Sequence, residues 1–242
     1  MAAKKLSRKW IPLLFVVILL GCDRQQNNKD VELYSIDATK IIAGLSLDSP
    51  DLEELFIMEY GFHAISPTFG ESNVRWAETD FQLVAHALLE LSWKQPADYW
   101  KLYGQLYEFD CADPDFGPIS ATYTYERKIG LTRDHSSVMI QLYANLVTIV
   151  KSSNHLASPS VAPIDRRNII AASDALAIAE SNGGYAARSD ASPDYCYIEV
   201  HYIQLESEES QPFWRVTYTD DIDIHVTVWI DALTGEVYPV DQ

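Results

Sequence analysis

Thiols, imidazoles and clustered carboxylates are the groups in this chain with chemistry to offer, and their spacing decides how much. The cysteines are Cys22, Cys111 and Cys196; the six histidines are His63, His86, His135, His155, His201 and His225. No two histidines stand in the H-E-x-x-H spacing that places zinc ligands on one helix face. Cys196 and His201 lie five apart in a segment of strand character, so their side chains point to opposite sheet faces and form no thiol–imidazole pair. Asp110, Asp113 and Asp115 in "DCADPDFGP", and Asp220, Asp221 and Asp223 in "DDID", are dense enough to attract calcium. Neither run has the distal glutamate of a calcium loop, and Pro114 stiffens the first, so both read as solvated turn carboxylates. The tripeptide Asp115-Phe116-Gly117 lacks the glycine-rich loop and lysine of a kinase, and neither a G-x-S-x-G elbow nor a phosphate loop occurs. The sequence assigns no catalytic, cofactor-binding or metal-binding residue.

The most explicit chemistry belongs to Cys22. "MAAKKLSRKW" carries Lys4, Lys5, Arg8 and Lys9, "IPLLFVVILL" is apolar, and Leu19-Leu20-Gly21-Cys22 follows. A basic stretch, a short apolar stretch and a small residue before the cut have the layout of a secretory signal. Leu-Leu-Gly-Cys resembles the lipobox of bacterial lipoproteins. The resemblance implies a signal peptide over 1–21, lipidation at Cys22 and a polar tether over 22–30; the alternative is an uncleaved N-terminal anchor. Asp23 resembles the signal that retains lipoproteins at the inner membrane, which implies the periplasmic face of that membrane in a Gram-negative cell. Loss of residues 1–21 leaves 14 basic against 35 acidic residues, a net charge of −21. Such a balance argues against nucleic acid as a partner and leaves membrane attachment to the acyl chains on Cys22. In an exported chain Cys111 and Cys196 are free to form a disulfide, or to remain two buried thiols.

Hydrophobic periodicity outlines the elements that would position these groups. Residues 31–151 read as an N-terminal module, with one or two helices over 31–66, one of them starting near Ser49 and Pro50. A helix over "ETDFQLVAHALLELSW" turns Phe81, Val84, Ala85, Leu88 and Leu89 to one face. Strands are expected over Asp98–Asp110 and Ile119–Lys128, and "SSVMIQLYANLVTIV" reads as a strand from its β-branched content. Residues 152–167, rich in Ser, Pro and Asn, read as a linker. Residues 168–242 then offer a helix with Ser173 as its cap and Gly183 and Gly184 as its stop, followed by an antiparallel meander. The meander closes on "VTVWIDALTGEVYPV", 226–240. There Asp231 folds its carboxylate onto following amides and Gly235 suits a left-handed turn position. The expected fold class is α+β, with a helix packed on an antiparallel sheet in the C-terminal part and a second α+β module before it.

The run Ala175-Leu176-x-Ile178-Ala179, the strands after it and "VTVWIDALTGEV" together resemble the PepSY-like family. The resemblance covers residues 168–240 and is sharpest over Ile230–Val237. It departs from the family at the acidic stretch "LESEESQPF" before Trp214. Such modules bind or restrain partners, often peptidases, and carry no known catalytic residues. The implied function is that of a lipid-anchored envelope protein that restrains a peptidase or assembles with an envelope partner. Two alternatives stand beside it: a hydrolase with its site in residues 31–150, and a small-ligand carrier. The carrier would use an aromatic surface drawn from Tyr99, Trp100, Tyr103, Tyr107, Tyr123 and Tyr125, although such residues more often fill a core.

Overall fold

The computed structural model describes residues 31–57, 74–153, 162–190, 196–204, 211–220 and 223–238. The expectations for the signal peptide, for Cys22 and its tether, for His63 and His155, for Asp221 and for the acidic stretch 205–210 lie outside them. Among the described residues no helix is long and apolar enough to cross a membrane.

The chain enters through β1 (Val31–Asp37), whose Tyr34 and Ile36 are buried on one face. It turns directly into α1 (Ala38–Leu45), where the Asp37 carboxylate accepts from the Thr39 and Lys40 amides at 3.0 and 2.8 Å. These first-turn N–H groups have no partner within the helix, so an aspartate before them supplies one. A single turn, α2 (Leu52–Leu55), follows, then the long helix α3 (Glu78–Trp93). Four strands come next: β2 (Trp100–Asp110), β3 (Pro118–Ile129), β4 (Thr132–Tyr143) and β5 (Leu146–Ser152). Two short helices, α4 (Ala172–Ala179) and α5 (Tyr185–Asp190), are joined by a wide turn over Glu180–Gly184. The chain closes through β6 (Tyr197–Gln204), β7 (Pro212–Thr219), β8 (Ile224–Asp231) and β9 (Val237–Tyr238).

These nine strands form a single antiparallel sheet in the order β1-β5-β4-β3-β2-β6-β7-β8-β9. This overturns the α+β expectation of a helix-on-sheet module preceded by a second α+β module: the chain is dominated by one continuous sheet. The junction is β2 with β6, paired from Leu106↔His201 to Asp110↔Tyr197. Kept apart, the two halves would leave β2 and β6 as edge strands, each with an unpaired row of N–H and C=O groups; paired, each strand satisfies the other. Periodicity along a chain reports which residues face inward and is silent on which distant strand supplies the partner.

Two local readings also change. Residues 31–37, expected to belong to a helical region, form the edge strand β1. "SSVMIQLYANLVTIV" is a hairpin of β4 and β5 rather than one strand, reversed at Ala144, which adopts φ 51°. The helices lie on one face of the sheet. Phe81, Val84, Ala85, Leu88 and Leu89 of α3 are fully buried there, in one core with Tyr123, Val138, Ile140 and Ile149. Residue 164, inside the segment read as a linker, is tied to the sheet: the Ile164 amide donates to the Leu102 carbonyl at 2.8 Å.

Candidate functional site

The residues singled out in the sequence fall at separate places. Cys111 and Cys196 form a disulfide, Cα to Cα 5.5 Å, immediately beyond the last β2–β6 pair. Asp231 is 1% exposed, and its Oδ1 accepts from the Leu233 and Thr234 amides at 2.7 and 2.8 Å. Gly235 has φ 78° and donates its amide to the Asp231 carbonyl at 2.9 Å. Asp220 is used locally, accepting from the Asp223 amide and facing His225 Nε2 at 2.8 Å. Among the described residues no three His, Cys, Asp or Glu side chains gather as a metal site. Glu108 and Glu199 are cross-strand partners, and burial, followed by the charge of Glu199, raises the Glu108 pKa. They alternate with Tyr107 and Phe109 and so occupy the sheet face away from the helices.

On the helix-covered face a cleft of about 480 Å³ opens where the first turns of α3 and α4 meet the sheet. Trp76, Phe116 and Trp214 wall it, Gln105 and Arg166 reach into it, and Ser173 stands exposed at its rim. Its two helix ends are coupled through Glu78. The Glu78 carboxylate accepts from the Ala172 and Ser173 amides at 3.2 and 2.7 Å, whereas α4 has no side-chain cap of its own. Glu78, at the start of α3, therefore does the work expected of Ser173. Trp214 is held by its indole N–H, which donates to the Ile170 carbonyl at 3.1 Å. Trp76 packs edge-on against Phe81 with ring centres 5.1 Å apart. At the opposite lip Gly117 has φ 109°, and a Cβ there would lie 3.0 Å from the Trp76 carbonyl oxygen, so glycine lets the wall close up. Arg75 lies over the Phe116 ring and donates to the Asp115 carbonyl.

Arg166 is the chemically conspicuous residue. Its Nη2 lies 3.4 Å from Tyr107 Oη, and Tyr123 Oη sits 3.3 Å from both Tyr107 Oη and the Glu78 carbonyl oxygen. Burial pushes Tyr107 up to about 12 and raises Tyr123 and Tyr125 well above the ordinary phenol, so the three rings are neutral at physiological pH. His86 packs edge-on against Trp100 and Tyr125; burial first, and the charge of Arg166 second, lower its pKa to about 4. None of these neighbours neutralises the guanidinium. Its Nη1 is buried with no hydrogen-bond partner, as are Gln105 Oε1 and Tyr125 Oη. A second, smaller cavity of about 230 Å³, lined by Gln82, His86, Trp100 and Tyr125 among others, also borders Arg166.

No family model, no curated protein and no solved structure matches this chain. What the cleft can do must then be read from its groups. A guanidinium and a carboxamide hydrogen-bond and orient a guest, and three aromatic walls remove its apolar surface from water.

Sequence reasoning passed over both polar residues. Gln105 had a signal: in "YGQLYEF" it shares the inward phase of Tyr107 and Phe109, and a polar side chain in a buried phase is conspicuous. Arg166 had none, since it lies in a Ser/Pro-rich stretch with no period, and only the fold carries it over the tyrosines.

Proposed function

We propose that the protein is a lipid-anchored binding protein of the bacterial envelope, held by Cys22 and receiving its guest in the cleft between α3 and α4. The observation that carries this reading is an aromatic cleft lined by Arg166 and Gln105, each with a buried polar atom, Nη1 and Oε1, that has no hydrogen-bond partner. A buried polar group left without a partner costs roughly 1–3 kcal/mol, more when charged. A guest that supplies an acceptor and a donor offsets that cost. Its volume lies within the roughly 300–1,000 Å³ typical of small-guest sites. The lipobox-like Leu19–Cys22 supports the anchor, and the PepSY-like ending over Ile230–Val237 supports binding, with an envelope peptidase or assembly partner as the source of the guest.

Two measurements test it. Cys22→Ser is expected to leave an unprocessed, mislocalised chain; fractionation and processing identical to the parent would remove the anchor. A photo-crosslinking residue at Ser173, on the rim, is expected to capture a reproducible envelope molecule from living cells. Capture that survives filling of the cleft from its helical rim, as in Thr79→Trp, would place the contact elsewhere and sink the cleft as the binding site.

A further inference from the structure

We infer that the guest of the cleft is the C-terminal end of a peptide chain, its α-carboxylate on Arg166 and its last amide N–H on Gln105. This rests on the reading of the cleft as a binding site and names the chemistry it selects.

Three observations converge. Arg166 brings a positive charge with a buried, unpaired Nη1, and the phenols and imidazole against it are neutral, so its missing partner is an acceptor, and a singly charged anion is favoured. Gln105 is 1% exposed with an unpaired acceptor, Oε1, so its missing partner is a donor. Gln105 and Tyr107, which Arg166 touches, share one face of β2 two residues apart, about 7 Å along the strand. Both residues line the same cleft, and their unsatisfied atoms do not bond each other. Third, the walls are aromatic: Trp76 and Trp214 are buried and Phe116 closes the lip.

One residue must then supply an anion, a donor beside it and an apolar body. An Asp or Glu side chain uses up its own body as the anion. A chain-terminal residue has all three: the α-carboxylate, the amide N–H one carbon away and a free side chain for the aromatic walls. A phosphate fits less well, because a dianion wants several cations, and here the partly buried Arg166 and the exposed Arg75 are offset by Glu78 and Asp115 in the same lining. The first amides of α4, the kind of group that binds anions at helix N-termini, are already taken by Glu78.

The test uses the full lipidated chain in mild detergent and calorimetric titration with acetylated hexapeptides ending in leucine, as free acid or as carboxamide. The free acid is expected to bind, and the carboxamide at least tenfold more weakly, the loss of about one charge-assisted hydrogen bond. Arg166→Gln is expected to erase the difference between the two peptides. Should that variant fail to fold, the exposed rim residue reports instead. Ser173→Glu is expected to weaken and Ser173→Lys to strengthen binding of the acid alone, both effects fading in high salt. Equal binding of acid and carboxamide to the parent protein overturns the inference, as does no binding of the acid. If the acid fails while rim crosslinking still captures an envelope molecule, only the guest's chemistry is wrong; if both fail, the cleft is not a binding site.

Discussion

Cys111 and Cys196 extend the β2–β6 ladder by one step, immediately past the Asp110↔Tyr197 pair, and bond across it with Cα atoms 5.5 Å apart. The bond therefore clamps the one strand pair that joins the two halves of the sheet. It is backed by a polar relay. Arg188 donates to the Cys111 carbonyl at 3.1 Å and to Glu180 at 2.8 Å, and Glu180 accepts from the Tyr218 hydroxyl at 2.8 Å.

Replacing both cysteines by serine is expected to destabilise the protein by about 2–4 kcal/mol, because the bond closes a loop of 85 residues that the unfolded chain would otherwise explore. Urea unfolding with and without reductant measures it. The parent in reductant should unfold at the same urea concentration as the double variant, and an unmoved midpoint would show that the β2–β6 pairing alone holds the junction.

Glu78 ties the start of α4 to the start of α3, so Glu78→Ala should leave two first-turn amides of α4 without acceptors. A loss of about 1–2 kcal/mol is expected in thermal unfolding. Glu78→Gln, which keeps a carbonyl oxygen, should lose less. Equal losses in the two variants would mean that charge, not hydrogen bonding, sets the effect.

His86 supplies an acid-side stability limb. Its folded pKa, about 4, lies below the ordinary value of 6.5, so the neutral ring is the form the fold favours. The contribution is complete above about pH 6.5 and is lost as pH falls toward 4, reaching roughly 3 kcal/mol at most. His86→Phe, which keeps an aromatic ring against Trp100 and Tyr125, is expected to reduce the slope of the stability profile between those two values. His201, also lowered to about 4 by burial first and Arg215 second, should leave a second decline of comparable size in that variant. An unchanged slope would assign the acid limb to other groups.

At the C-terminal turn, Gly235→Val is expected to cost at least about 1–2 kcal/mol. The left-handed φ of 78° disfavours a β-branched residue, and a Cβ would meet Ile178 Cδ1 at 3.2 Å. Asp231→Ala should cost about as much, since the Leu233 and Thr234 amides lose their acceptor. Melting temperatures report both. A Gly235→Val protein of parental stability that no longer binds its partner would make the turn a contact surface rather than a structural one.

Local chemistry is what the sequence by itself determined. The inward phase of α3, the strands over 100–110, 118–129, 197–204 and 212–219, the left-handed glycine at 235 and the Asp231 turn each depend on residues within a few positions of one another. Side-chain periodicity and backbone sterics act over that range, so short windows of residues carry the information. The tertiary structure alone decided which strands pair across 95 residues, from Leu106 to His201, and so turned two expected modules into one sheet. It alone brought Arg166, from a stretch without any hydrophobic period, onto Tyr107, 59 residues earlier in the chain. Strand pairing is a contest among all exposed edges for hydrogen-bond partners, and a cleft is the space left where distant elements fail to fill each other's gaps. Neither quantity is a property of any local segment, and both exist only once the whole chain has packed.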